Sequence, residues 1–342
     1  MSEVIVACRA LTASGWRHDV AITLQAGKIA AIEPSAAPHT VDVLLPAPGN
    51  LHSHAFQRAM AGLTEQRRGS DDFWSWRALM YRFLEALGPD DVEAIAAGVQ
   101  MEMLEAGFAA VGEFHYLHNP SGGGAYDAPA ELATRIVAAA ERTGIGLTLL
   151  PVVYTQGGMD GRPLEGGQTR FSTPPAHFNG ILDGARDAIR VLGDDARVGV
   201  APHSLRAVPA GLLRDVAGLP GPKHIHVAEQ VREVEEVRAH TGATPVRHLA
   251  ASLSLSSDWT LIHATHTDRH ELALMANAGA TVGLCPITES NLGDGLFDAV
   301  SFLGAGGMFG VGSDSNIRIS LVEELRTLDY GQRLLGRVRN PL

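Results

Sequence analysis

After residue 40 one pattern recurs eight times: a short apolar run, a polar residue at its end, then a helical stretch. The runs are VDVLLPAPG (41–49), AAVGEFHY (109–116), GLTLLPVVY (146–154), RVGVAPHS (197–204), KHIHVAE (223–229), TLIHATH (260–266), TVGLCPI (281–287) and MFGVGSD (308–314). Most are continuously apolar with little alternation, as expected of parallel strands buried on both faces. Between them lie Ala-, Leu-, Glu- and Arg-rich segments such as 90–107, 128–144, 268–279 and 320–336, several closing at a glycine. Eight strand–helix alternations predict an α/β chain folded as a (β/α)8 TIM-like barrel.

In such a barrel, chemistry gathers at the C-terminal ends of the strands. Those ends carry His52 and His54, Glu113 with His115 and Tyr116, Tyr154, His203, His226 with Glu229, His263 with His266, Thr288 with Glu289, and Asp314. Residues 1–45 read differently. IVACRAL and DVAITLQAGKIAAIEP look like alternating strands with a turn at Gly27, part of a small β-subdomain ahead of a barrel at 46–342. Residues 155–180, rich in Gly and Pro, are expected to form a long loop of the lid or binding type.

Composition sets outer limits. Acidic residues exceed basic ones by 38 − 27 = 11, which argues against a non-specific nucleic-acid or anionic-membrane binder. No stretch reaches the ~20 apolar residues that a membrane span needs. Cys8 and Cys285 cannot make a disulfide framework, so a reducing, cytoplasmic setting is expected.

His52-Ser53-His54 is the sharpest local motif. Residues i and i+2 of an extended segment point to one side, so two imidazoles can meet one metal ion. The motif alone is weak; its company strengthens it. HIHVAE, HATH and GSD stand at other strand ends. Two histidines, a third histidine and a carboxylate, with a position left for water, suit catalytic Zn²⁺ or Fe²⁺.

With those motifs in place the chain resembles the formimidoylglutamate deiminase family of the amidohydrolase superfamily. The resemblance rests on PGNLHSHAFQRAMAGLTE (48–65), FWSWRALMYR (73–82), GEFHYLH (112–118), HSLRAV (203–208), HIHVAEQ (224–230), HATH, TESNLGDG (288–295) and GSDSNIRISLVEELR (312–326). It implies one divalent ion, Zn²⁺ expected and Fe²⁺ the alternative, held by His52, His54, His226 and Asp314. Of the two histidines in HIHVAEQ, the family pattern selects His226 with Glu229 and leaves His224 to the core. In HATH it selects His263 over His266. The implied reaction is N-formimino-L-glutamate + H₂O → N-formyl-L-glutamate + NH₃, a step of histidine degradation. The implied catalytic groups are Asp314 as base for a metal-activated water, His263 to orient that water, and Glu229 to protonate the leaving nitrogen.

A dicarboxylate substrate entering a chain of net charge −11 needs local arginines. Guanidinium groups match carboxylates through paired hydrogen bonds. Arg206 and Arg77 are the expected partners, with His203, Tyr116 and Gln57 completing a polar lining. Trp74 and Trp76 are candidates for a pocket wall. His18, His39, His177, His240, His248 and His270 read as exposed, and Cys285 as core. A homodimer is implied by the resemblance.

Family members continue beyond the position of Leu342, so the C-terminal part of the small β-subdomain is expected to be missing from this chain. Two other readings stand beside the deiminase. One is an aminohydrolase of purine, pterin or triazine type, sharing the metal ligands but not the arginines. The other is a non-catalytic truncated paralogue, which would be expected to have lost ligands.

Overall fold

The structure, a computed structural model, describes residues 2–65 and 73–342. The chain divides into two compact units, residues 1–48 and 49–342.

The first unit is a four-stranded sheet of β1 (Ser2–Thr12), β2 (Gly15–Gln25), β3 (Lys28–Pro34) and β4 (Val41–Leu44), in the order β3-β2-β1-β4. β1–β2 and β2–β3 are antiparallel, while β4 joins β1 in parallel. Ala26 and Gly27 join β2 to β3 with φ of +50° and +75°. Two positive φ values in a two-residue loop match the right-handed twist of a hairpin, and glycine takes one of them without strain. Alternation buries Ala7, Ala10, Val20 and Ile22 against one another. VDVL was expected to open the first barrel strand. It is instead β4 of this small sheet, because its register is with Ala7, Arg9 and Ala10.

The second unit carries two parallel sheets. One contains β5 (Gly49–Ser53), β6 (Ala110–His115), β7 (Gly146–Val153) and β8 (Arg197–Val198), with β9 (Ala201–Pro202) also on β7. The other runs β10 (Lys223–Val227), β11 (Trp259–His263), β12 (Thr281–Leu284) and β13 (Met308–Val311). Parallel bridges Val200–Lys223 and Ser204–His226 join the sheets on one side, and Ser53–Asp314 joins them on the other. That ring of eight strand positions is the (β/α)8 arrangement. β10 and β11 are buried at every residue, which accounts for their unbroken apolar runs.

The helices are α1 (Phe73–Leu84), α2 (Pro89–Glu105), α3 (Glu131–Thr143), α4 (Pro175–Ala188), α5 (Ala210–Ala217) and α6 (Val231–Thr241). They continue with α7 (Pro245–Ser252), α8 (Arg269–Asn277), α9 (Pro286–Leu292), α10 (Ala299–Gly304) and α11 (Leu321–Gly336). Residues 155–180 are not one long loop: a 3₁₀ turn spans Gly166–Phe171, and α4 begins at Pro175. His177 and His248 are half-buried rather than exposed, and His177 Nε2 lies 2.9 Å from Asn119 Oδ1. Among the described residues no helix is long and apolar enough to cross a membrane.

Candidate metal centre and active site

The strand ends meet at one mouth. His52 lies on β5 one residue before its end, His54 follows the strand, His226 sits on β10, and Asp314 follows β13. All four are buried, and their ligand atoms lie within 4.8 Å of one another. His52 Nε2 is 3.1 Å from both His54 Nε2 and His226 Nε2, and Asp314 Oδ1 is 3.2 Å from His54 Nε2.

These contacts do not satisfy themselves. His54 Nδ1 lies 3.0 Å from the Phe114 carbonyl, and His226 Nδ1 lies 3.1 Å from the His203 carbonyl. A carbonyl can only accept, so each Nδ1 carries the proton and each Nε2 turns a lone pair inward. Burial drives His54 down to about 3 and His52 and His226 well below the ordinary imidazole value, keeping the rings neutral. A neutral His52 Nε2 has at most one proton to share between two lone pairs. A central cation removes the conflict. Three imidazole nitrogens and one carboxylate oxygen, with His54 and His226 each oriented through its Nδ1 by a backbone carbonyl, fit a divalent ion. Burial also pushes Asp314 up to about 7, with His263 pulling the other way.

His224 stays outside this group, its ring centroid 6.5 Å from that of His52. His263 Nε2 faces Glu229 Oε1 and Asp314 Oδ2, each at 3.8 Å. His266 does not line the cleft.

Above the four-atom group a cleft opens, lined by Gln57, Arg77, Tyr116, His203, Arg206, Glu229, His263 and Asp314. Gln57 Nε2 donates to Tyr116 Oη at 2.7 Å, and Arg77 Nη2 donates to Tyr154 Oη at 3.0 Å. Trp76 lines the same cleft; the Trp74 side chain lies outside the described residues. Glu113 and His115 do not line it. Glu113 Oε1 accepts the Ala55 N–H at 2.7 Å, and burial pushes its carboxyl up to about 7.

Comparison with known proteins identifies the scaffold. Residues 43–339 match the amidohydrolase family, and residues 2–44 match the N-terminal domain of formimidoylglutamate deiminase HutF. Formimidoylglutamate deiminase of Pseudomonas aeruginosa is 46% identical over 349 residues, covering 99% of this chain and 77% of that protein. The chain belongs to the formimidoylglutamate deiminase family. An amidohydrolase crystal structure from Brucella melitensis is 47% identical with a TM-score of 0.95, covering 99% of this chain and 77% of that one. An adenosine deaminase from Xanthomonas campestris with bound zinc, 19% identical, has a TM-score of 0.78 over 98% of this chain and 74% of that one, and shares the fold.

The structure also shows how the site's backbone is held and adds residues without a task in the sequence. Ala228, His263, Ala264, Asp314 and Asn316 have φ between +46° and +68°. Non-glycine residues pay steric strain there, and such strain persists only where the surroundings over-determine it. Around Asp314, Ser313 N donates to Asn50 Oδ1 at 3.0 Å, and Asn316 Nδ2 donates to Ser53 Oγ and to the His54 carbonyl, both at 3.1 Å. Behind Glu229, the buried Glu233 carboxylate takes the Ala228 N–H at 3.1 Å and the Glu229 N–H at 3.0 Å. Glu233 lies four positions past Glu229, a signal present in the sequence. Arg162, on the segment after β7, and Arg232, at the start of α6, also line the cleft.

Proposed function

We propose that this chain hydrolyses N-formimino-L-glutamate to N-formyl-L-glutamate and ammonia, a step of histidine degradation. The observation that carries the reading is that Arg77 and Arg206 line the same cleft as the buried His52–His54–His226–Asp314 group. The His and Asp group suits hydrolysis of a C–N bond, and the two guanidinium groups suit carboxylates. The name of the Pseudomonas aeruginosa relative supports it.

His52, His54, His226 and Asp314 would hold one divalent ion, Zn²⁺ in preference to Fe²⁺. When bound, such an ion polarises the substrate and lowers the pKa of water toward ~7. The chain's own groups do the remainder. Asp314 accepts the proton of the attacking water, and His263 Nε2 orients that water. Glu229, 3.8 Å from His263 Nε2, delivers a proton to the nitrogen that departs as ammonia. Arg206 and Arg77 hold the two carboxylates, and Gln57, Tyr116 and His203 line the path between them. The family resemblance supports a homodimer. The free Cys8 and Cys285 fit a reducing compartment such as the cytoplasm.

The test is ammonia release from N-formimino-L-glutamate beside guanine and adenosine. Release from the first alone is expected. Release from a purine and none from formiminoglutamate would replace this reading with a purine aminohydrolase.

A further inference from the structure

His263 hangs from a backbone with φ of +68° and is followed by Ala264 at +50°. An imidazole has a broad two-fold torsion about its last bond, so a ring in such a place can present either nitrogen unless something holds it. The holder comes from another element. Glu289, buried in the first turn of α9, places Oε1 3.1 Å from His263 Nδ1 and accepts the Cys285 N–H at 2.9 Å with the same atom. The Glu289 N–H donates back to the Cys285 carbonyl at 2.9 Å, so Glu289 is tied to Cys285 through both its backbone and its side chain.

We propose that Glu289 is a positioning residue for His263 in the hydrolysis argued above, on which this inference rests. A carboxylate only accepts, so Glu289 fixes Nδ1 as the protonated nitrogen and turns Nε2 toward Glu229 and Asp314. Capping α9 would require only the bond to Cys285. The bond to the imidazole is additional, and it reaches the ring that faces both the proposed base and the proposed acid.

Four variants separate positioning from capping: Glu289→Ala, Glu289→Gln, His263→Ala, and Glu289→Ala combined with His263→Ala. Glu289→Ala should lower kcat by about 10²-fold, with KM and metal content little changed. Glu289→Gln should recover about tenfold of that loss, because its amide oxygen can accept the Nδ1 proton in the same place. In the His263→Ala background the further change should cost less than about twofold, since a residue acting through His263 has nothing left to act on. An equal loss with and without His263, or a glutamine variant no better than alanine, overturns the proposal.

A second readout does not depend on the substrate. Proton–nitrogen NMR of the metal-loaded wild type should show a hydrogen-bonded His263 Nδ1 proton, kept in Glu289→Gln and lost in Glu289→Ala. Its absence from the wild type overturns the proposal even where ammonia release is seen. Its presence supports the positioning even if formiminoglutamate proves not to be the substrate.

Discussion

The inner end of the cleft and its outer wall are built on different principles. At the inner end, side chains from β5, β10 and the turn after β13 converge within 4.8 Å, and backbone carbonyls set two of the three imidazoles. At the outer wall, long side chains lean on one another: Arg77 on Tyr154, and Gln57 on Tyr116. Position at the inner end comes from the barrel itself. Position at the wall has mixed origins: Tyr116 and Tyr154 directly follow β6 and β7, whereas Arg77 comes from α1 and Gln57 from a 3₁₀ turn at Ala55–Met60. Damage to the inner end should therefore abolish chemistry, whereas damage to the wall should alter which molecule is accepted.

The largest expected effect tests the inner end. His226→Ala should lose the ion and lower kcat/KM by at least ~10³-fold, because several kcal/mol of transition-state stabilisation rests on that ion. Metal analysis beside ammonia release checks it; full activity without bound metal would erase the contrast. Glu229→Gln comes next. It should keep the ion and slow kcat by ~10²–10⁴-fold, the usual worth of a general acid. Near-normal kcat would remove Glu229 from the proton path.

At the wall, Arg206→Ala should lower kcat/KM by about 10–10²-fold, as expected from losing charge-assisted hydrogen bonds, with metal content unchanged. Loss of metal in that variant would show that the two ends are not independent. The smallest effect at neutral pH comes from a buried histidine outside the cleft. Burial pulls His115 down to about 3. In the unfolded chain it would titrate near 6.5, so between pH 6.5 and 3 unfolding takes up one proton there and stability falls as the pH falls. His115→Gln should flatten that acid slope by about 1.4 kcal/mol per pH unit and leave the slope above pH 7 unchanged. Chemical denaturation across pH measures it, and an unaltered slope would mean that His115 is not held neutral.

The same contrast explains what the sequence made legible. Strand ends are local, so HSH, HVAE and GSD could be read directly, and the barrel followed from eight apolar runs. The first barrel strand was placed at 41–49 rather than Gly49–Ser53 because Val41–Leu44 is apolar enough for either sheet. Only its register with β1, set by residues far away in sequence, decides. The start of α4 was missed because STPP reads as a breaker, yet proline at a first helical position has the right φ and lacks only an N–H that would be unsatisfied anyway. Choosing His226 over His224 needed the family pattern, since both lie on one face of β10. The task of Glu289 was hidden for a different reason: its bond joins it to His263, a group distant in sequence whose closeness exists only after folding.

Ser53 pairs with Asp314, the His54 N–H donates to the Asp314 carbonyl at 2.9 Å, and the Asp314 N–H donates to that of His52 at 2.9 Å. The stave laid down first and the stave laid down last thus meet where the ion would sit. With His52 and His54 beside one stave and Asp314 beside the other, a newly made chain would complete the proposed ligand set only once that joint has closed, so metal loading would report barrel closure. A chelator, in turn, would loosen the hoop as well as stop the chemistry.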